Sequence, residues 1–192
     1  METLSRRSLI IATCITVAPA RLLRAAELSR ERFAESLIAA AVDAGRVRLA
    51  PGLSPLTRDA VLDGIARERS EDMVHGAPFA HEDGHGGFPV IDMMRARYSR
   101  YGAMGENLMM DFEPAGGGYD PRLFASRAAK SWFDSEGHRD NILSPAFTRS
   151  GIGVAASRTI IYATQVFWGP PASRPRAAPR GAADRGPVRA AR

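Results

Sequence analysis

Residues 132–143, Trp-Phe-Asp-Ser-Glu-Gly-His-Arg-Asp-Asn-Ile-Leu, are the stretch around which the rest of the sequence is organised. Apolar side chains spaced four residues apart from Phe124 lead into it, which indicates an amphipathic helix that ends here. We expect Ser135 and Gly137 to break that helix and to begin a polar turn with a carboxylate, an imidazole and a guanidinium. Two interpretations stay open: a functional loop fixed between two apolar anchors, or a helix end where His138 meets the negative end of the helix dipole.

The net positive charge of the chain comes from its last residues. The 192 residues carry a formal net charge of +5, and residues 169–192 contain six Arg and one Asp, which alone give +5. Residues 1–168 are therefore neutral, so the high pI is no argument for nucleic-acid binding by the folded part. The single cysteine, Cys14, lies in a segment expected to be removed, and the mature chain then has no disulfide framework.

The composition of the termini predicts the domain organisation. Residues 1–20 are typical of an export signal, with Arg6 and Arg7 before a short apolar run and a small-x-small cleavage pattern at its end. The paired arginines resemble a twin-arginine signal, and the standard secretory route stays open. We assign residues 21–30 to a linker, residues 31–169 to one domain and residues 170–192 to a disordered tail rich in Arg, Pro and Ala.

Hydrophobic periodicity predicts four helices, a short strand and a terminal β-hairpin. We expect Gly45 to end the first helix and Thr57 to cap the second. This set of elements predicts an α+β fold, a three-layer α/β/α sandwich with a small, mainly antiparallel sheet. The predicted helices span 27–45, 57–74, 89–101 and 121–132, and the predicted strands span 106–110, 151–156 and 159–168.

The segment between the second and third predicted helices contains a formal His-Glu-x-x-His match, from His81 to His85. This motif supports zinc-protease chemistry only on a helix, where both imidazoles share one face. Pro78 precedes the match and Gly84 lies within it, and both oppose helix formation. We therefore expect a loop and assign no protease function to the motif.

Four motifs occur in a fixed order and together indicate a family. They are Gly-Glu-Asn-Leu at 105–108, the stretch at 132–143, Gly-Ile-Gly-Val at 151–154 and Tyr-Ala-Thr-Gln-Val-Phe at 162–167. From Phe33 to Trp168 the chain resembles the CAP superfamily of cysteine-rich secretory, antigen 5 and pathogenesis-related proteins, and most of all its cysteine-free bacterial branch. The resemblance implies an extracellular α/β/α sandwich with a polar central cleft.

The resemblance also implies a set of site residues. In eukaryotic members two His and two Glu form the cleft and can hold a divalent metal. His81 and Glu106 match one His and one Glu of that set. The other Glu is replaced by Ser135 and the other His by Tyr162, so that two of the four expected ligands are absent.

His138 is the side chain that could replace the missing imidazole. With it, the predicted metal ligands are His81, Glu106 and His138, a set that suits zinc or another divalent metal with one open position. The alternative is a metal-free hydrogen-bonded cluster in which Glu106 holds one imidazole as an ion pair. Three further side chains are expected to line the cleft: Ser135, Glu136 and Tyr162.

Three functions are compatible with these residues. The first is an extracytoplasmic (periplasmic or secreted), non-catalytic module that binds a small molecule, lipid or peptide. The second is a hydrolase that uses Ser135 beside His138, or a metal-bound water with Glu106 or Glu136 as base. The third is an interaction of the Arg-rich tail with anionic envelope polymers. We expect no specific nucleic-acid partner and no transmembrane segment in the mature chain.

Overall fold

A four-stranded sheet in the order β1-β3-β4-β2 lies at the centre of the fold. The computed structural model describes residues 20–100, 102–112 and 118–171, with side chains from residue 30 onward. Nearly all of the predicted export signal and of the predicted tail lies outside these residues. The described elements are α1 (Ala20–Leu49), β1 (Thr57–Arg58), α2 (Ala60–Val74), α3 (Pro89–Arg97), β2 (Met104–Phe112), α4 (Pro121–Asp134), α5 (Glu136–Leu143), β3 (Arg149–Ala156) and β4 (Ile160–Trp168).

The pairing of the strands and the position of the helices confirm the predicted three-layer sandwich. Strand β4 pairs antiparallel with both β2 and β3, and only the two-residue strand β1 is parallel to its neighbour. One face of the sheet packs on α1 and α4, where Ile38, Trp132 and Ile161 belong to one buried cluster. The opposite face packs on α2 and α3, where Leu62 contacts the cluster around Val166. Alternate residues of β4 therefore enter different cores, as its sequence predicts.

Helix α2 approaches β3 so closely that only glycine fits at two positions of the strand. A Cβ atom on Gly151 would lie 2.1 Å from the backbone carbon of Leu62, and one on Gly153 would lie 2.1 Å from that of Ala66. The Gly-x-Gly pattern of β3 therefore sets the distance between α2 and the sheet.

The first helix is longer than predicted at both ends. It begins at Ala20, and so runs through residues 21–30, which the sequence analysis assigned to a linker. The expectation that Gly45 ends this helix is wrong, because the helix continues to Leu49. A Cβ atom on Gly45 would lie 2.2 Å from the Phe133 ring, so this glycine allows α1 to pack against α4.

The second helix begins later than predicted. Thr57 is not its N-cap, because Thr57 and Arg58 pair with Arg149 and Ser150 as a short parallel strand. The N-cap is Asp59, whose side-chain oxygen accepts hydrogen bonds from the two amides that follow at N2 and N3.

The polar stretch after α4 forms a further helix, α5, and not the predicted turn. Ser135 adopts an extended conformation, with φ −84° and ψ 124°, and separates α4 from α5. Gly137 does not break the chain further, since it lies within α5. One extended residue is enough to change the helix direction, and Glu136 in the first turn of α5 suits the positive end of its dipole. His138 is therefore held on a short helix.

Candidate functional site

The loop that carries His81 is fastened to α2 by a buried arginine. The side chain of Arg69 is 1% exposed, and its Nη2 donates hydrogen bonds to the carbonyl oxygens of Pro78, at 3.1 Å, and Ala80. Farther along the same loop, Asp83 accepts hydrogen bonds from the amides of His85 and Gly87. The His-Glu-x-x-His match thus lies in a loop outside the helices, as the sequence predicts, and its two imidazoles do not share a helix face.

Glu106 on β2 lies between the imidazole of His81 and the guanidinium of Arg69. His81 Nδ1 is 2.7 Å from Glu106 Oε2, and Arg69 Nε is 3.6 Å from Glu106 Oε1. The imidazole is 53% exposed, whereas the carboxylate is 9% exposed. An imidazole that solvent can reach is therefore held by a nearly buried carboxylate, with a second, fully buried cation behind it.

The hydrogen bond to Glu106 raises the pKa of His81 above its ordinary value. Partial burial and the positive charge of Arg69 act in the opposite direction, and the charge of Glu106 adds to the increase. Because the carboxylate dominates, the pair favours the imidazolium form and an ion pair at the mouth of the site.

His138 lies on α5, which packs with α1 and α4 on the other side of the sheet from α2. Its carbonyl oxygen accepts a hydrogen bond from Asn107 Nδ2 at 3.1 Å, which joins α5 to β2. Burial lowers the pKa of His138, and the charge of His81 lowers it further. Its Nδ1 is buried without a hydrogen-bond partner among the described residues, as is Glu106 Oε1. The structure therefore brings His138 within electrostatic reach of the His81–Glu106 pair.

Two asparagines that the sequence analysis did not single out hold β2 and α5 together. Asn141 Nδ2 donates to the carbonyl oxygen of Glu106 at 3.3 Å and to Asn107 Oδ1 at 2.9 Å. Asn107 is fully buried and also lies 3.5 Å from Gln165 Oε1. Both asparagines lie inside the motifs quoted above, so their presence was visible in the sequence.

Arg69 was also missed, although its position carried a signal. It falls on the buried face of α2 with Leu62, Ile65 and Met73, at the spacing of an amphipathic helix. A charged residue on an apolar helix face must find partners in the core. That pattern indicated a buried cation beside the sheet. The groups that bind it could be identified only from the structure.

The three residues predicted to line the cleft take different positions. Tyr162 is buried below the exposed ring of Phe79, with 6.0 Å between ring centroids. Ser135 is half-buried at the junction of α4 and α5, and the hydrogen bonds described there are made by its backbone. Glu136 is exposed in the first turn of α5, and no contact with the His81–Glu106 pair is described for it.

The residues present fit a resident divalent cation poorly. In the part of the chain that the structure describes, no three His, Cys, Asp or Glu side chains are arranged to hold a metal ion. Arg69 moreover places a fixed positive charge beside Glu106, the carboxylate that would have to bind the metal. A second cation near that carboxylate would be repelled in a nearly buried environment.

Comparison with known proteins agrees with this architecture. The model of the cysteine-rich secretory protein family, CAP, matches residues 42–168. The chain is 39% identical over 118 residues to the uncharacterized protein YkwD of Bacillus subtilis. The aligned region covers 62% of this chain and 41% of YkwD. The chain thus spans less than half the length of that relative.

Three solved structures share the fold. An outer surface protein of Borrelia burgdorferi has a TM-score of 0.59 at 15% identity, covering 71% of this chain and 92% of that protein. An extracellular SCP-domain protein of Bacillus anthracis has a TM-score of 0.55 at 23% identity, covering 80% and 44%. NaASP2, solved with Zn²⁺, has a TM-score of 0.52 at 15% identity, covering 70% and 78%. With the family match over residues 42–168, the ordered motifs and the sandwich fold, the chain belongs to the cysteine-rich secretory protein (CAP) family.

Proposed function

We propose that this chain is an exported CAP-domain binding module whose polar cleft, formed by His81, Glu106 and His138, takes a polar ligand without transforming it. The observation that carries this proposal is the 2.7 Å contact between His81 and Glu106, next to two buried atoms, His138 Nδ1 and Glu106 Oε1, that have no hydrogen-bond partner among the described residues. Unsatisfied buried groups are costly, so a site that keeps them next to a solvent-accessible imidazole is suited to receiving a ligand.

Export is supported by the pattern of residues 1–20 and by the description of two structural relatives as extracellular or outer-surface proteins. Across the described residues, no helix is both long and apolar enough to cross a membrane. The Arg-rich segment at 169–192 adds a proposed contact with anionic envelope polymers.

Binding is favoured over hydrolysis by the geometry at Ser135. A serine nucleophile needs a base within hydrogen-bond reach of its hydroxyl group. The hydrogen bonds described at Ser135 involve its backbone, and its side chain makes no capping hydrogen bond to α5. His138 in turn keeps a buried Nδ1 without a described partner. We therefore propose no catalytic role for either residue.

A thermal-shift screen of the purified mature chain tests the cleft. The probes are free amino acids, dipeptides, tripeptides and sugar acids. Compounds that stabilise the wild type should also stabilise His85→Ala, which changes an exposed imidazole in the same loop, but not His81→Ala or Glu106→Gln. Compounds that stabilise all four proteins equally, or a screen in which none stabilises the wild type, would contradict the proposal.

Metal dependence is tested by elemental analysis of the same sample. Because the residues fit a metal poorly, we expect less than about one tenth of an equivalent of zinc per protein chain. Compounds that bind in the screen should still bind after treatment with a chelator. One full equivalent of a divalent metal that disappears in both His81→Ala and His138→Ala would show that a metal occupies the cleft.

A further inference from the structure

Strand β2 forms one edge of the sheet, and half of its residues direct their backbone groups away from β4. The amide of Gly169 donates a hydrogen bond to the carbonyl oxygen of Ala103, the residue just before β2. In an antiparallel pair the hydrogen-bonded residues alternate along the strand. The odd-numbered residues of β2 therefore bond to β4, and the even-numbered ones, from Met104 to Phe112, face outward.

In the first half of the outward edge the carbonyl groups are capped by side chains, and in the second half the amide of Phe112 donates to Asp111 Oδ1 at 2.9 Å, which leaves Met110 as the open position. The carbonyl oxygen of Glu106 accepts a hydrogen bond from Asn141 Nδ2 at 3.3 Å, and that of Leu108 accepts one from Trp132 Nε1 at 3.1 Å. Met110 is the next outward residue, and among the described residues nothing caps its amide or its carbonyl group. An uncapped strand edge is a template for another strand.

A groove of about 560 Å³ lies beside β2, between this strand and α4. Two ion pairs line it, Arg127 Nη1 to Asp111 Oδ2 at 3.0 Å and Lys130 to Asp134, so its charges balance. The groove reaches Ser135, at the junction that precedes His138. The groove therefore presents charged groups of both signs next to the strand edge.

Near its end the same strand is apolar on the opposite face. Met110 and Phe112 point toward the α2 side, since they pair with Tyr162 and Ile160, and the ring of Phe112 is 64% exposed. A strand added to this edge would thus meet apolar side chains on one face and the two ion pairs on the other.

We propose that the open edge of β2 at Met110 binds an extended peptide segment as an added strand, with charged side chains of the peptide in the α4 groove and apolar ones on Met110 and Phe112. Backbone pairing supplies affinity in this mode of recognition, and alternate side chains supply specificity. Balanced charge in the groove suits side chains of both signs better than a polyanion. None of the residues that line the groove belongs to the set His81, Glu106 and His138, so the site does not depend on the cleft.

The first test uses a library of acetylated, amidated heptapeptides that alternate apolar and charged residues. Met110→Ala removes the apolar side chain but keeps the outward amide, so peptides selected on the wild-type chain should still bind it, more weakly by the loss of that contact. Met110→Pro also lacks the side chain and removes the amide without breaking the ladder to β4, so it should bind about tenfold more weakly than Met110→Ala. Equal affinity of the alanine and proline variants, or no selected peptide at all, would overturn the proposal.

The second test leaves the protein unchanged and so decides the matter if Met110→Pro does not fold. Each amide of the selected peptide is N-methylated in turn. Binding as a strand predicts a period of two, in which methylation at alternate positions abolishes binding and methylation between them has little effect. Losses at consecutive positions, or at none, would overturn the proposal.

A third measurement separates this site from the polar cleft. His81→Ala should bind the selected peptide within about threefold of the wild type, because the peptide edge and the cleft imidazole are different surfaces. If His81→Ala abolishes peptide binding while Met110→Pro does not, the peptide occupies the cleft. In that case the edge site is wrong and the proposed function stands.

Discussion

Arg69 is the residue on which the geometry of the site depends. Its guanidinium is buried between α2 and β2, where it binds two carbonyl groups of the loop and faces Glu106. It therefore positions both members of the His81–Glu106 pair without contacting solvent. A lysine could supply the charge but not the fork of donors, because an ammonium group cannot reach the loop carbonyls and the carboxylate in the same geometry.

Replacement of Arg69 should destabilise the domain and release the loop. Arg69→Met keeps much of the apolar stem, but leaves two loop carbonyls and a nearly buried carboxylate without their cation. We expect a loss of about 3 kcal/mol in the free energy of unfolding, measured by urea denaturation. Hydrogen exchange of residues 76–88 should become faster.

The matched control is Arg97→Met. Arg97 makes an exposed ion pair with Glu68, which should contribute less than about 1 kcal/mol. Similar losses in the two variants would contradict the positioning role of Arg69.

Among the secondary-structure elements, β2 connects the two halves of the site. Its outward backbone groups receive side chains from α4 and α5, and its Glu106 side chain faces α2. Trp132 and Asn141, which belong to the stretch that organises the sequence, are thus the residues that close the first half of the strand edge. Capping an edge with side chains prevents pairing with other chains.

The approach of α2 to β3 gives a prediction at the same scale. Gly153→Ala would place a Cβ atom against the backbone of Ala66, so α2 must move away from the sheet. We expect a loss of about 3 kcal/mol in the free energy of unfolding, since overpacking of a rigid contact is not relieved by a side-chain rotation.

Gly64→Ala serves as the control within α2. No atom lies within 4 Å of a Cβ at this exposed helical position. Alanine there should raise the free energy of unfolding by about 0.5–1 kcal/mol. Urea denaturation of both variants measures the difference. A neutral result for Gly153→Ala would show that α2 is not held by this contact.

Most element types were predictable from the sequence, whereas α5, β1, several boundaries and the partners in the site were not. Periodicity alone predicts α4 and the β3–β4 hairpin. It fails at Gly45, which packs against a ring from α4, because helix propensity carries no information about contacts between distant elements. It also fails at Thr57, which forms a strand with residues 92 positions away in the chain.

The site shows the same limit. The resemblance to the family predicted that His81 and Glu106 belong together, and the structure places them in contact. It did not reveal that a buried arginine stands behind the carboxylate, where it disfavours the metal that the sequence analysis assigned to His81, Glu106 and His138. The distance between Arg69 and Glu106 is set by the packing of α2 on the sheet, which the sequence does not reveal.

For the molecule as a whole, the excess positive charge lies at one end of the sequence. Residues 1–168 are formally neutral and residues 169–192 carry the excess of +5. Deletion of residues 172–192 should therefore leave the melting temperature within about 1 °C and remove retention on a carboxylate resin at low salt. Retention that persists after the deletion would place the basic surface within the domain instead.

The most direct test of the cleft is the titration of His81, followed by NMR of the imidazole protons in chelator-treated protein. We expect a pKa of His81 above the ordinary value, because the hydrogen bond to Glu106 dominates. The ion pair then stabilises the fold fully below pH ~6.5, and this stabilisation is lost as the pH rises through the raised pKa. In Glu106→Gln the pKa should fall to or below the ordinary value, since burial and Arg69 then act unopposed. A wild-type pKa at or below about 6.5, or the same pKa in both proteins, would contradict the account.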